Sequence, residues 1–371
     1  MSRRCTLRLI TLLALICAGA PAAAQGPLSR PTTRPHASGP AFPGVPLPVL
    51  RRAPSEVLKP ATDPDVVLGM HELTRERPAV VDGDTIRVLG LDRSLRLIGI
   101  DTEETFKDPG RRMLAEKDWS EYLRTMYAGA RADRPPKFGT PFGEAARDFA
   151  ERFFAGVKAV RLEYDHPRRK RGYYGRHLVH VLCRKQGRWI NYNVEVVRQG
   201  LSPYFLKYGR SRRYHAAFLA AEKEARDLGR GLWALRPAFR TYPDYPVRLR
   251  WWMERAQAME VARTLDSKDE TVFILGEDGE WEGLKEQAGH MVTVIGAPGR
   301  LIRKRDLALQ TIGHRNKNDF LVVGPMEKVA ALGLERLAGD LVMITGRVSL
   351  YRGRPQFRVR DVTSIKPVPT H

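Results

Sequence analysis

Cysteine is nearly absent, with three residues in a chain of 371. Cys5 and Cys17 fall in an N-terminal stretch expected to be removed, so Cys183 stands alone and no intramolecular disulfide can form in the mature protein. Cys183 closes an apolar run that begins at His177, which suits a buried strand thiol better than a nucleophile. The nine histidines are scattered without metal-ligand spacing, which argues against histidine-based zinc and Ser-His chemistry. Long apolar runs are also missing. Leu9 to Ala20 is too short to span a membrane. It follows Arg3, Arg4 and Arg8 and precedes Ala22-Ala23-Ala24, the layout of a secretory signal over residues 1–25. Ile16 before Cys17 speaks against a lipoprotein anchor. The expected location is therefore secreted or periplasmic, with no stable membrane span. Acidic residues are few beside basic ones, 42 against 63, for a net charge of +21. Such a chain calls for a polyanionic partner, either nucleic acid or an acidic membrane surface.

What is present is punctuated into segments, and the length alone suggests two or three domains. Residues 26–69 are rich in Pro, Ala, Gly and Arg and read as a disordered tether. Strand-like patterns begin near Met70. Val81-Asp82-Gly83-Asp84-Thr85 ends one short apolar run in a turn, where Gly83 is free to take a positive φ. A strand around Ile86 and Val88 connects through Gly90–Ser94 to a return strand, Leu95–Ile100, carrying Arg96 and ending at Asp101. This hairpin brings Asp84, Arg96 and Asp101 together, and acidic oxygens beside a fixed guanidinium suit a hard cation plus a phosphate. In an unbroken strand Arg96 and Asp101 would face opposite sides, so a departure from regular pairing is expected near 99–101, where Gly99 permits it.

Helical periodicity marks Phe142–Ala155 and Arg212–Leu228, and a helix between them ends at Gly200. Ala115, Trp119, Tyr122 and Met126 fall on one stripe inside residues 106–140, a surface helix or a lid over a groove. Pro237–Pro246 reads as a linker, followed by Trp251-Trp252, a short helix to Ala262 and a hairpin signal at Glu277-Asp278-Gly279-Glu280.

Taken in order, Asp82-Gly83-Asp84-Thr85, Arg96 through Thr105, Tyr174-Gly175-Arg176, Val197-Arg198-Gln199-Gly200-Leu201 and Gly231-Leu232-Trp233 resemble the motifs of the staphylococcal nuclease family over residues 74–236. The resemblance implies a mainly β fold with helices, a five-stranded Greek-key barrel of the OB type plus three helices. It implies a Ca²⁺-dependent phosphodiesterase acting on DNA or RNA, which the leader-like residues 1–25 would place outside the cytoplasm. Asp84, Asp101 and the Thr102 carbonyl would hold calcium, Arg96 and Arg176 would grip the scissile phosphate, and Glu104 would be the general base. Attack would release a 5′-hydroxyl and leave a 3′-phosphate. Two departures stand out: Glu103 replaces the family's proline, so either glutamate could act as base although spacing favours Glu104, and Gly172 replaces an Asp before the Tyr-Gly-Arg turn. Tyr174, Tyr204 and Tyr208 are candidates for base stacking, or are simply packed tyrosines.

Residues Gly289–Val368 resemble a second, smaller OB-like barrel of the nucleic-acid-binding type, through His290–Gly296, Gly339–Val348 and Leu350–Phe357. Its Tyr351-Arg352-Gly353-Arg354-Pro355 turn offers an aromatic ring and two arginines at a hairpin tip. The expected organisation is a signal over 1–25, a tether over 26–69, the nuclease-like domain over 70–236, a linker over 237–284 and the OB-like domain over 285–369. A nucleic-acid-binding protein that retains the fold without hydrolysis is the alternative, and a monomer is the expected state.

Overall fold

The computed structural model describes residues 59–370, apart from 76, 173 and 314–318. The expected signal peptide and most of the expected tether lie outside the described residues. The tether's expected end at 69 is too late. Ala61 is buried, donates its N–H to Glu163 Oε1 at 2.8 Å and accepts from Arg161 Nη2 at 2.5 Å.

A first sheet and its helices occupy the chain up to Trp233. In order they are β1 (Val67–Glu72), β2 (Val80–Asp82), β3 (Thr85–Ile86), β4 (Leu95–Leu97), α1 (Pro109–Lys117), α2 (Trp119–Tyr127), α3 (Pro141–Phe154), β5 (Ala159–Tyr164), β6 (Leu178–Lys185), β7 (Arg188–Asn191), α4 (Tyr192–Arg198) and α5 (His215–Asp227). The strand order is β1-β5-β6-β4-β3-β2, with β7 also on β6, and β4–β6 is the parallel pair. A bridge between Leu73 and Val88 draws the end of β1 back towards β3. β4 stops at Leu97 and Gly99 turns the chain at φ +74°, the expected departure from strand pairing. The expected helices fall where their periodicities place them. α3 opens on a Thr140 cap and Pro141, and buries Phe142, Ala146, Phe149 and Phe153 against the sheet.

The insertion is two helices rather than one. Asp118 stands extended between them and its carboxylate accepts from Glu121 N–H at 3.0 Å, capping α2. Their apolar stripe forms its own cluster of Ala115, Tyr122 and Phe138 with Tyr242.

The expected linker is also structured. α6 (Tyr245–Lys268) runs for 24 residues where a short helix was expected. Arg248, 2% exposed, ties it to the insertion by donating to Asp244 Oδ1 at 2.6 Å and the Pro136 carbonyl at 2.5 Å. After β8 (Val272–Ile274) the expected hairpin is instead α7 (Glu280–Glu286), entered through Gly279 at φ +93°. The remaining elements are β9 (Met291–Gly296), β10 (Pro298–Lys304), β11 (Leu307–Ile312), β12 (Phe320–Pro325), α8 (Met326–Ala331), β13 (Val342–Tyr351) and β14 (Arg354–Pro367). With β8 they make a second sheet, in the order β10-β11-β12-β14-β13-β9-β8. It has its own core around Val294, Phe320, Ile344 and Phe357, while Met259 and Ala262 of α6 pack on its Ile274–Ile295 side. No described helix is long and apolar enough to cross a membrane.

Candidate functional site

The Asp82–Thr85 turn is fixed by close approach. Gly83 does not adopt a positive φ, contrary to expectation. A Cβ there would lie 2.7 Å from Thr102 Cγ2 and 2.9 Å from Ala146 Cβ, so glycine is needed to let α3 and the 102 turn close on it. Tyr192 OH donates to the Gly83 carbonyl at 2.8 Å, and Asp84 receives Thr85 Oγ1 at 3.0 Å and Thr102 N–H at 3.2 Å. Across the turn, Ser202 Oγ accepts from Asp101 N–H at 2.8 Å.

Arg96 lies between the two acids. Its Nη1 pairs with Asp84 Oδ1, and its Nη2 reaches Asp101 Oδ1 at 2.5 Å and the Ile100 carbonyl at 3.3 Å. Burial opposes the charge on Arg96, but Asp84 and Asp101 outweigh it and hold the guanidinium firmly protonated. Burial likewise opposes ionisation of Asp101, and here Lys137 and then Arg96 win, keeping the carboxyl below its usual range. Lys137 Nζ sits 2.5 Å from Asp101 Oδ1, a contact that the insertion supplies and that no periodicity in the sequence announced. Asp82 behaves differently: burial and the neighbouring Asp84 push it up to about 7.

The adjacent glutamates part company. Glu103 is 1% exposed and accepts from Thr140 Oγ1, from Tyr242 N–H at 2.8 Å and from Tyr245 OH at 2.9 Å. It anchors the segment leading into α6 and is turned away from solvent. Glu104 keeps a side chain 29% exposed, with Lys107 Nζ at 3.1 Å as its ion-pair partner. Its backbone is held by the return of the insertion, Thr140 N–H donating to Glu104 O at 3.0 Å.

A cleft of about 490 Å³ extends from Arg96 along the first sheet towards α6 and the second sheet. Arg176, Tyr174, Tyr208 and Arg255 line it. The turn bearing Arg176 is closed by Gly172 N–H on Arg176 O at 2.9 Å, so Gly172 does not leave it loose. Arg176 has no carboxylate partner among the described residues. Tyr174 and Tyr208 are 57% and 46% exposed, as a stacking role requires, whereas Tyr204 is buried and stacks on Phe218 at 4.6 Å, which makes it core. Tyr351, Arg352 and Arg354 are absent from the cleft lining and stand at the exposed β13–β14 turn. There Arg352 and Gly353 both take positive φ and Tyr351 pairs with Arg354, a two-residue turn at the expected hairpin tip.

Asp84, Asp101 and the Thr102 backbone offer hard oxygen donors, the kind that calcium takes. Thr102 Oγ1 is buried without a hydrogen-bond partner among the described residues. The donor set thus fits a hard divalent cation, with water completing the shell. Among the described residues, no three His, Cys, Asp or Glu side chains group as a metal site on their own.

A family model described as staphylococcal nuclease homologue matches residues 94–235, leaving the Asp82–Thr85 turn, α6 and the second sheet outside it. The chain is similar to the thermonuclease of Staphylococcus hyicus, 30% identical over 166 residues that cover 44% of this chain and 78% of that protein. It is also similar to the thermonuclease of Staphylococcus intermedius, 30% identical over 159 residues covering 42% and 72%. An uncharacterized protein of Methanocaldococcus jannaschii is 30% identical over 162 residues, covering 42% and 68%.

Proposed function

Because this chain belongs to the staphylococcal nuclease family of nuclease-like hydrolases, we propose that it hydrolyses phosphodiester bonds of DNA, and of RNA, in the cleft beside Arg96. In this reading the first sheet is the family's Greek-key barrel and the second is an accessory OB-like barrel that binds the strand. The observation that carries the reading is Arg96 clamped between Asp84 and Asp101, with Arg176 lining the same cleft and without a carboxylate partner among the described residues. Arg176 offers a planar fork of donors to the scissile phosphate, and Arg96, pre-oriented by its acids, offers those donors the carboxylates leave free. Charge that builds on the phosphoryl oxygens in the transition state meets both guanidinium groups in a partly dry site. Glu104 takes the proton from attacking water, which requires release of the exposed Lys107 from its carboxylate. Asp84, Asp101 and the Thr102 carbonyl would hold Ca²⁺, which supplies further positive charge to the phosphate and polarises water. The leader-like residues 1–25 support export of the protein.

A second reading, binding without hydrolysis, is favoured by the cations already seated on the acids: Lys137 on Asp101 and Lys107 on Glu104. Cleavage of end-labelled single-stranded DNA with Ca²⁺, with Mg²⁺ and with chelator separates the two. Calcium-dependent cleavage leaving 3′-phosphate ends is expected, with Glu104→Gln losing about 10²–10⁴-fold in rate while still binding. Tight binding with no cleavage under any metal selects the second reading.

A further inference from the structure

Next to the cleft, on its α6 side, lies a group of cations that the proposed chemistry does not use. Lys207 is half-buried, with its Nζ 3.8 Å from the centre of the Trp251 ring. Among the described residues it has neither a carboxylate nor a hydrogen-bond acceptor. Arg134 covers Trp251 as well, at 4.8 Å. Arg255 lines the cleft, spends its Nη1 on the Gly339 carbonyl at 2.5 Å and keeps its Nε buried without a partner among the described residues. The nearby carboxylates are already taken, Asp101 by Arg96 and Lys137 and Asp340 by Arg134.

Such an arrangement is costly for the protein alone. A ring face returns only about 0.5–2 kcal/mol to an ammonium, less than its lost hydrogen bonds to water. Burial, and then Arg255, Lys137 and Arg134 against the pull of Asp101, push Lys207 down to about 7. Burial and Arg169 likewise lower Arg255 to about 10. A bound anion would reverse both penalties.

We propose that Lys207 and Arg255, backed by Trp251, form a second phosphoryl-binding subsite, which takes the phosphate next along the strand from the one held at Arg96 and Arg176. The inference rests on the nuclease reading for the identity of the strand. It gives α6, which lies outside the family-matched residues, a part in holding substrate. Tyr208, exposed and lining the cleft, offers a face for a neighbouring base.

The test uses the full protein in chelator, where no turnover occurs, and compares the parent with Lys207→Met and Arg255→Gln separately, so that either variant suffices. Binding is read by fluorescence anisotropy with a labelled dinucleoside monophosphate, a labelled trinucleoside diphosphate and longer single strands. Each variant should bind the trinucleoside about tenfold or more weakly, the loss expected for one charge-assisted contact. Its salt slope should fall by about 0.7, one phosphate fewer on a single strand. The dinucleoside, whose one phosphate sits at the arginine pair, should bind as before. Lys223→Met, which removes an exposed charge paired with Asp227 on α5, should change none of these values. Equal losses for di- and trinucleoside, or no loss with either variant, overturn the subsite while leaving the nuclease reading intact. Failure of the parent to bind any strand overturns both.

Free phosphate is the other source of the same chemistry. Titrating inorganic phosphate into the strand-free protein while following lysine ammonium resonances distinguishes them. An upward shift of the Lys207 titration assigns the subsite to free phosphate as well; its absence, beside the trinucleoside loss, confines it to the strand.

Discussion

Gly143, in the first turn of α3, is the most informative single position for testing how the glutamate turn is held. Its φ is not positive, so alanine meets no backbone strain, and on helix propensity alone Gly143→Ala should stabilise the protein by roughly 1 kcal/mol. Sterics say the opposite. The added Cβ would overlap the Glu104 carbonyl oxygen outright and lie 2.6 Å from its carbonyl carbon and 2.8 Å from Glu103 O, all backbone atoms. Ordinary contact begins near 3.4 Å, so either α3 or the 103–104 turn must retreat by more than an ångström. Overpacking of this kind costs about 1–3 kcal/mol, which cancels or exceeds the helical gain. The sharper consequence is for rate. Moving Glu104 by about an ångström should lower single-turnover cleavage about 10²-fold, with affinity in chelator nearly unchanged. Thermal melts and single-turnover cleavage of one oligonucleotide by parent and variant measure both effects. A variant that melts higher and cleaves like the parent would refute the claim that α3 sets the position of this turn.

Three further substitutions probe other parts of the argument. Glu103 is raised by burial from its ordinary 4.5 to about 7, so the stability it contributes is fully present below pH 4.5 and is lost as the pH rises through 7, by roughly 3 kcal/mol. Urea unfolding across that range should therefore show a flatter pH dependence in Glu103→Gln, and equal slopes would contradict the assignment. Gly99→Ala places a Cβ at φ +74° and 2.7 Å from Phe218 Cε2 in the core, and should lower Tm by about 4–8 °C at a cost of about 2 kcal/mol; an unchanged melting curve would show that the bend tolerates a side chain. Tyr351→Ala should weaken single-strand binding by about 1–3 kcal/mol without changing Tm, because the ring is 58% exposed with Arg352 over its face. Unchanged affinity would reduce the hairpin tip to a solubilising role.

Elements whose burial repeats with one period were legible from sequence, and elements set by their ends were not. α3 and α5 bury Phe149, Phe153, Phe218 and Ala221 at helical spacing, and that spacing alone located them. Prolines punctuating residues 237–246 point to a linker with only a short helix after it, yet Pro246 sits in the first turn of α6, where a missing N–H costs nothing. Similarly, Asp278-Gly279 resembles a hairpin tip, but the glutamates that follow, Glu280 and Glu282, are acids in a first helical turn, the signal that outweighs it. Asp118 with Glu121 three residues on was another missed start, one that divides an apparently continuous stripe into α1 and α2.

The site divides along the same line. Asp84, Arg96 and Asp101 could be grouped from sequence because one short hairpin joins them, and only local geometry is needed to bring them into contact. Between Glu103 and Glu104, spacing favours Glu104 but leaves both open. What separates their surroundings is Thr140, Tyr242 and Tyr245, which arrive from the end of the insertion and from the entry to α6 and donate to the buried Glu103 carboxylate. Proline at this position would need no such partners, whereas a buried carboxylate does. The substitution at 103 and the packing of the segment around Tyr242 and Tyr245 are therefore one feature: the glutamate recruits the chain beyond the first sheet, and in doing so leaves Glu104 as the acid facing solvent.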